Sequence, residues 1–463
     1  MIDIVKGSVL PAMKMLKRIL SAFLIALMLL CASGCALFQT EVIPVSDEEA
    51  APYRMMAEGF IEKLFEEDYV ACYNLFGEDL ASGWKRSDLQ EQWEMVRFVY
   101  GDPIGVLVYE GYRMNGEGAI IARVAHTHGA SSIQLIYDDE NALVSLSFSE
   151  YAEGNAYSVS VPQGVTETEL TLGEGTEYPL RAILSMPENA AEDVPCVVLV
   201  HDSGAYDLNS ALGGNVPFAD IAHGLAQQGI ATLRYDKRTF AHADKLDDKL
   251  VMEMTVQEET IDDALLAVKA ACAAQGVDPA KVYVAGHGLG GMLAPRIAVQ
   301  SGGQVAGIVS LAGTARGYLD VVYDQNIAMT NDAEQKNAIK KEYKKVDNIV
   351  EQKDSATVFG LPVPYLKDLY LNPVSAQLQQ LNIPVLVLQG KNDFQYTLDD
   401  YKSWQLALEG YTGKSELVLF ENLNHLFADN TGLKRRGTTG EYLEESHGAQ
   451  VVVDTIAQWV KEN

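Results

Sequence analysis

Hydrophobic residues follow several different periods along this chain. An unbroken apolar run, Ile19–Leu30, stands behind Lys14, Lys17 and Arg18. Further on, Met56, Phe60, Ile61, Leu64 and Phe65 return at helical spacing and mark one face of a helix over Tyr53–Phe65. The stretches Ile104–Arg113, Gly118–His128, Ser132–Asp138 and Ala142–Ser149 are rich in β-formers, with turn signals at Asn115-Gly116 and Asp138-Asp139. From about Tyr151 the order becomes strand, helix, strand, helix. Near-continuous apolar runs (Val194–His201, Gly229–Tyr235, Val282–Ala285, Val305–Ala312, Val385–Gly390, Ser415–Phe420) read as buried parallel strands, with helices over Phe218–Gln228 and Thr255–Ala274 among them. That alternation predicts an α/β class, a doubly wound sheet.

These changes of period divide the chain into 1–35, a leader; 36–49, an acidic spacer; 50–150, a small α+β domain; and 151–463, the α/β domain. Within the last, residues 313–381 form an insertion after a strand end, where a helical lid is expected. It carries a charged helix over Asp332–Lys353 and an apolar segment over Phe359–Tyr370.

Charge removes one class of partner. With 35 basic against 64 acidic residues, a net charge of −29 cannot neutralise a nucleic-acid backbone. The 5 cysteines are scattered, so Cys72, Cys196 and Cys272 read as free thiols and not as a disulfide scaffold. The basic residues before Ile19–Leu30 make that run an export signal, too short to span a bilayer comfortably. Its end, Ala32-Ser33-Gly34-Cys35, resembles the lipobox of bacterial lipoproteins, with Ala32 where Leu is usual. The resemblance implies a lipid on Cys35 and a protein anchored to the cell membrane outside the cytoplasm; an ordinary signal peptide is the alternative. The 50–150 domain resembles the NTF2-like accessory domains ahead of some exported hydrolases. His126 and His128 there share a strand face, but no third metal ligand accompanies them.

The sharpest motif is Val282-Tyr283-Val284-Ala285-Gly286-His287-Gly288-Leu289-Gly290-Gly291. Strand, tight turn and helix around G-x-S-x-G form the nucleophile elbow of α/β-hydrolases. Here Gly288 holds the nucleophile position, and glycine offers no group able to form an acyl-enzyme. The partners are in place: Asp393 follows one buried strand and His425 follows the next, in the chain order of this fold. An Asp there orients the imidazole, and the His acts as base and then acid. The oxyanion donors are expected from Leu289 N–H and from the loop His201-Asp202-Ser203-Gly204. Asp202 stands where related loops carry Gly; pointing inward it opposes catalysis, pointing outward it is harmless.

Together with Pro217-Phe218-Ala219-Asp220, Leu233–Arg238 and Met292–Arg296, these motifs make residues 161–463 resemble exported esterases of the serine aminopeptidase-like (S33-type) group of α/β-hydrolases. The resemblance implies hydrolysis of small carboxylic esters by a Ser-His-Asp triad. Gly288 and Asp202 depart from the pattern at the functional positions, so an inactive or very weak copy is expected, and Gly288→Ser is the substitution that tests whether the nucleophile alone is missing. The alternative is a non-catalytic, lipid-anchored pseudo-hydrolase that binds an acyl ligand. Ser203 is a remote candidate for a relocated nucleophile, His287 reads as a packing residue, and Asp236-Lys237-Arg238 as an ion-pair network. No phosphate loop, haem motif or zinc spacing appears, so no metal or cofactor is expected.

Overall fold

The computed structural model describes residues 42–463 apart from 101, 115, 127–128, 151–158, 191–192, 213–214, 243–244, 247, 329–332, 434–435, 438–440 and 443–445. Cys35 and the leader, like His128, lie outside the described residues. Among those described, no helix is long and apolar enough to cross a membrane.

In the first body, strands β1 (Val42–Pro44), β2 (Pro103–Met114), β3 (Glu117–His126), β4 (Gly129–Tyr137) and β5 (Leu143–Glu150) form one antiparallel sheet in chain order. Helices α1 (Asp47–Phe65) and α2 (Arg86–Tyr100) precede β2. Along β3, Ile120, Ala122 and Val124 enter the core at the strand period of two, meeting Phe60, Ile61 and Leu64 of α1 and Trp93 of α2. The acidic stretch is not a spacer over its whole length. Val42 and Pro44 pair with Met114 and Tyr112, and Ser46 caps α1 by accepting the Glu49 N–H at 3.3 Å. Asp47, Glu48 and Glu49 are that helix's first turn, where negative charge meets the positive end of the helix dipole. His126 is buried, its Nε2 2.8 Å from Ser131 Oγ.

The second body runs Tyr157–Asn463. Its sheet comprises β6 (Val165–Leu172), β7 (Leu180–Pro187), β8 (Val194–Val200), β9 (Ala231–Tyr235), β10 (Val277–His287), β11 (Gly307–Leu311), β14 (Val385–Gly390) and β15 (Ser415–Phe420), with the short pair β12 (Thr357–Val358) and β13 (Leu361–Pro362) outside it. The spatial order is β15-β14-β11-β10-β8-β9-β7-β6, parallel except for the antiparallel pairs β6–β7 and β7–β9. The edge hairpin β6–β7 escaped the sequence reading because β6 buries only Val165 and Leu172 among threonines and glutamates.

The apolar runs have a physical reason. Val198, Val200, Val282 and Val284 point into one core, while Val197, Leu199, Tyr283 and Ala285 point into the other. Helices α3 (Pro217–Gln227) and α11 (Gln450–Glu462) cover the second core; α4 (Asp262–Ala273) and α5 (Leu289–Gln300) cover the first. Thr255–Ala274 is not one α-helix, since a π-turn at Gln257–Ile261 precedes α4. Between β11 and β14 stand α6 (Tyr318–Ala328), α7 (Ala333–Tyr343), a 3-10 turn (Lys344–Glu351), α8 (Val363–Leu371) and α9 (Val374–Leu378), the helical insertion expected there. Helix α10 (Leu398–Ala407) follows β14.

Candidate active site

The elbow joins β10 to α5 at Gly288, whose φ of 51° and ψ of −114° lie in a region that side chains disfavour. Gly286 and Gly290 permit the tight turn, because a Cβ on Gly286 would fall 2.1 Å from the Gly290 carbonyl carbon. At the turn's apex the observation is different in kind. A Cβ on Gly288 would lie 2.1 Å from Asp202 Cγ and 2.2 and 2.3 Å from its two oxygens. The Asp202 carboxylate fills the space into which a nucleophile's side chain would project.

Asp202 leaves β8 two residues past Val200 and is buried, pointing inward. Its Oδ1 accepts from Leu289 N–H at 2.6 Å, Ser203 N–H at 2.7 Å and the Tyr396 hydroxyl at 3.2 Å. Its Oδ2 is 3.2 Å from His425 Nε2. The two amides expected to stabilise an oxyanion are thus both directed at Asp202 itself. Of the three residues expected at the oxyanion hole, Leu289 and Ser203 supply donors, whereas Asp202 takes them up.

On the other side of the imidazole, His425 Nδ1 meets Asp393 Oδ2 at 2.9 Å. Asp393 is oriented by the amides of Gln395 (2.8 Å) and Tyr396 (2.9 Å) and by Gln389 Nε2 (3.1 Å). Tyr396 stacks on the His425 ring, 5.3 Å between centroids. The strand-end positions of Gly288, Asp393 and His425 therefore converge, as their order in the chain led us to expect. Both nitrogens of His425 are engaged by carboxylates, which leaves none for Ser203.

Electrostatics lock this arrangement. Burial opposes the His425 cation, but the charge of Asp393 and the hydrogen bond to Asp202 outweigh it and raise the imidazole to about 10. Burial likewise opposes the Asp202 carboxylate, yet its hydrogen bond to His425 and that ring's charge hold it well below the usual carboxylate range. At neutral pH the pair is therefore carboxylate and imidazolium. A doubly protonated ring cannot remove a proton, so His425 in this state is no general base. Neighbouring His287 is lowered to about 4, chiefly by burial and then by the His425 charge.

Lys237 also bears on the site, more directly than its reading as a network residue indicated. Its Nζ pairs with Glu259 at 2.6 Å and donates to the Asp202 carbonyl at 2.8 Å, tethering the loop from behind. Tyr365 of α8 donates to the same Glu259 at 2.9 Å. Arg238 instead pairs with Asp263 at 2.6 Å. Sequence reasoning missed Tyr396, because nothing in a linear pattern says that a tyrosine three residues after an acid will contact a loop so far upstream.

Residues 216–429, which contain Gly288, Asp393 and His425, match the serine aminopeptidase family, S33. Over 409 residues the chain is 30% identical to Esterase EstD of Thermotoga maritima, covering 87% of this chain and 93% of that one. The chain belongs to the α/β-hydrolase esterases of this S33-type family. The match to the Thermotoga esterase takes in more of the chain than the second body holds, so that relative also carries a counterpart to part of the first. Among solved structures, Est1E from Butyrivibrio proteoclasticus aligns at 17% identity and a TM-score of 0.42, over 64% of this chain and 98% of that one. A putative dienelactone hydrolase from Klebsiella pneumoniae aligns at 15% and 0.41, over 65% and 99%. The matched segment includes the elbow apex at Gly288, whereas Asp202, which faces it, lies before residue 216.

Proposed function

We propose that this α/β-hydrolase is an esterase-type protein disarmed at its centre, with hydrolysis of small carboxylic esters absent or residual. One observation carries the reading: Asp202 holds the two oxyanion-hole amides and the His425 nitrogen at once, over a Gly288 that has no nucleophile. A carboxylate there resembles a bound acid product that cannot leave. The residual catalysis that a site without its nucleophile draws from the oxyanion hole is not available either, because Asp202 takes up both amides. Asp393 and His425 persist in this reading as the ancestral acid and base, now serving the buried ion pair.

The Cys35 signal supports export and lipid anchoring to a membrane, with the NTF2-like first domain as an accessory between anchor and hydrolase body. Labelling with a fatty-acid analogue, abolished by Cys35→Ala, tests the anchor. The decisive assay for the site is hydrolysis of p-nitrophenyl acetate and butyrate by the unsubstituted protein and by His425→Ala. We expect both to remain near the uncatalysed rate. Turnover at an enzyme-like rate that His425→Ala removes would refute the reading.

A further inference from the structure

The ester chemistry leaves one group at this site unexplained. His287 stands beside the elbow apex, buried, with its Nε2 donating to the His425 carbonyl at 2.9 Å. Its other nitrogen, Nδ1, is buried and has no hydrogen-bond partner. A buried polar atom of that kind calls for a ligand, since leaving it unmet carries a desolvation cost.

We propose that Asp202, His287 and His425 form a binding site for one divalent transition-metal ion of the zinc class. Each offers a ligand atom, and the three atoms lie within 4.8 Å of one another, all from buried residues. The separation of Asp202 Oδ2 from His425 Nε2 is 3.2 Å. Two ligands at zinc distances of about 2.0–2.1 Å in a tetrahedron stand about 3.3 Å apart, so this pair already has the spacing of a coordination edge.

Each ligand is also held from behind, which is how metal-binding side chains are oriented. Asp393 takes the Nδ1 side of His425 at 2.9 Å and leaves Nε2. The His425 carbonyl takes Nε2 of His287 and leaves Nδ1. The amides of Leu289 and Ser203 take Oδ1 of Asp202 and leave Oδ2. Two imidazoles and a carboxylate form a borderline donor set suited to zinc, with a fourth position for water. On binding, the ion replaces the proton between Asp202 and His425, and that proton passes to solvent. No linear signal points to the site, because its residues come from three separate strand ends and share no ligand spacing.

The inference goes beyond the disarmed-esterase reading and is measured apart from it. The purified protein is stripped with a chelator, dialysed and titrated with Zn²⁺ by calorimetry, with thermal midpoints recorded in parallel. Co²⁺ serves as a visible-absorption probe of four-coordinate geometry. We expect one ion per chain, a raised midpoint and a tetrahedral Co²⁺ spectrum. Binding should be lost in Asp202→Asn and His287→Gln, be weakened about 10–100-fold in Asp393→Asn, and be kept in His223→Ala, which changes a histidine paired with Glu167. His287→Gln keeps a polar group of similar size, and circular dichroism verifies that it folds. Absence of stoichiometric binding overturns the proposal, as does binding that survives both Asp202→Asn and His287→Gln. Either result leaves the ester assay and its conclusion untouched.

Discussion

Asp202 and Gly288 occupy one volume between them: any Cβ at position 288 would sit 2.1 Å from the Asp202 carboxyl carbon. The acid in the oxyanion loop and the missing side chain at the elbow are therefore two halves of a single arrangement. A side chain cannot be placed at position 288 while the Asp202 carboxylate stays where it is.

Gly288→Ser alone is accordingly expected to fail to create an active esterase. The serine side chain would press on Asp202, and overpacking of this sort costs about 1–3 kcal/mol. His425 would also remain paired with the displaced acid. The double variant Gly288→Ser with Asp202→Gly clears the volume, frees both amides and removes one of the two acids on the imidazole. Its p-nitrophenyl acetate turnover should exceed that of the unsubstituted protein by on the order of 10³-fold, and adding His425→Ala should abolish the gain. A Gly288→Ser variant as active as the double one would show that Asp202 is no obstacle.

Stability should vary with pH on both sides of neutrality. The His425 pKa is raised from 6.5 to about 10, so its stabilisation is complete below about pH 6.5 and fades as pH rises through 10. His201 and His287 are lowered from 6.5 to about 3 and 4, both chiefly by burial. Their contribution is present above 6.5 and fades as pH falls. The depressed Asp202 adds a further loss in more acidic solution. Thermal midpoints between pH 4 and 10 should therefore peak near 6.5, with an alkaline limb that flattens in His425→Gln. An alkaline limb unchanged by that substitution would contradict the imidazolium assignment.

His425→Ala should be strongly destabilising whether or not the protein turns over ester. It leaves Asp202 and Asp393 buried without the cation between them, and breaking a buried pair in this way costs about 3–5 kcal/mol. Urea unfolding measures it, and Asp202→Gly in the same background should recover part of the loss. A change under about 1 kcal/mol would show that water reaches the two acids freely.

Lys237→Met should lower stability by a similar amount, since Glu259 would lose its 2.6 Å partner in the interior. Adding Glu259→Gln should restore part of it, because the unpaired charge is then gone. Additive effects in this double-mutant cycle would mean that the pair is not coupled.

The sequence by itself determined the α/β-hydrolase architecture, for a local reason. A parallel strand covered on both faces must be apolar throughout, and Val194–Val200 and Val385–Gly390 announce that without reference to anything distant. The elbow glycines, Asp393 and His425 were legible because this fold places its chemistry at strand ends in a fixed order. Elements whose burial is partial were not: β6 hides among polar residues, and the acids of Asp47–Glu49 read as a solvated run until Ser46 capped a helix with them. Only the tertiary structure decided which way Asp202 points. That direction depends on the Leu289 amide, the Tyr396 hydroxyl and the His425 ring, which come from chain segments far apart, and on the volume that Gly288 leaves open. A side chain's orientation in a buried site is set by the charges and spaces around it, and those exist only once the strands have come together.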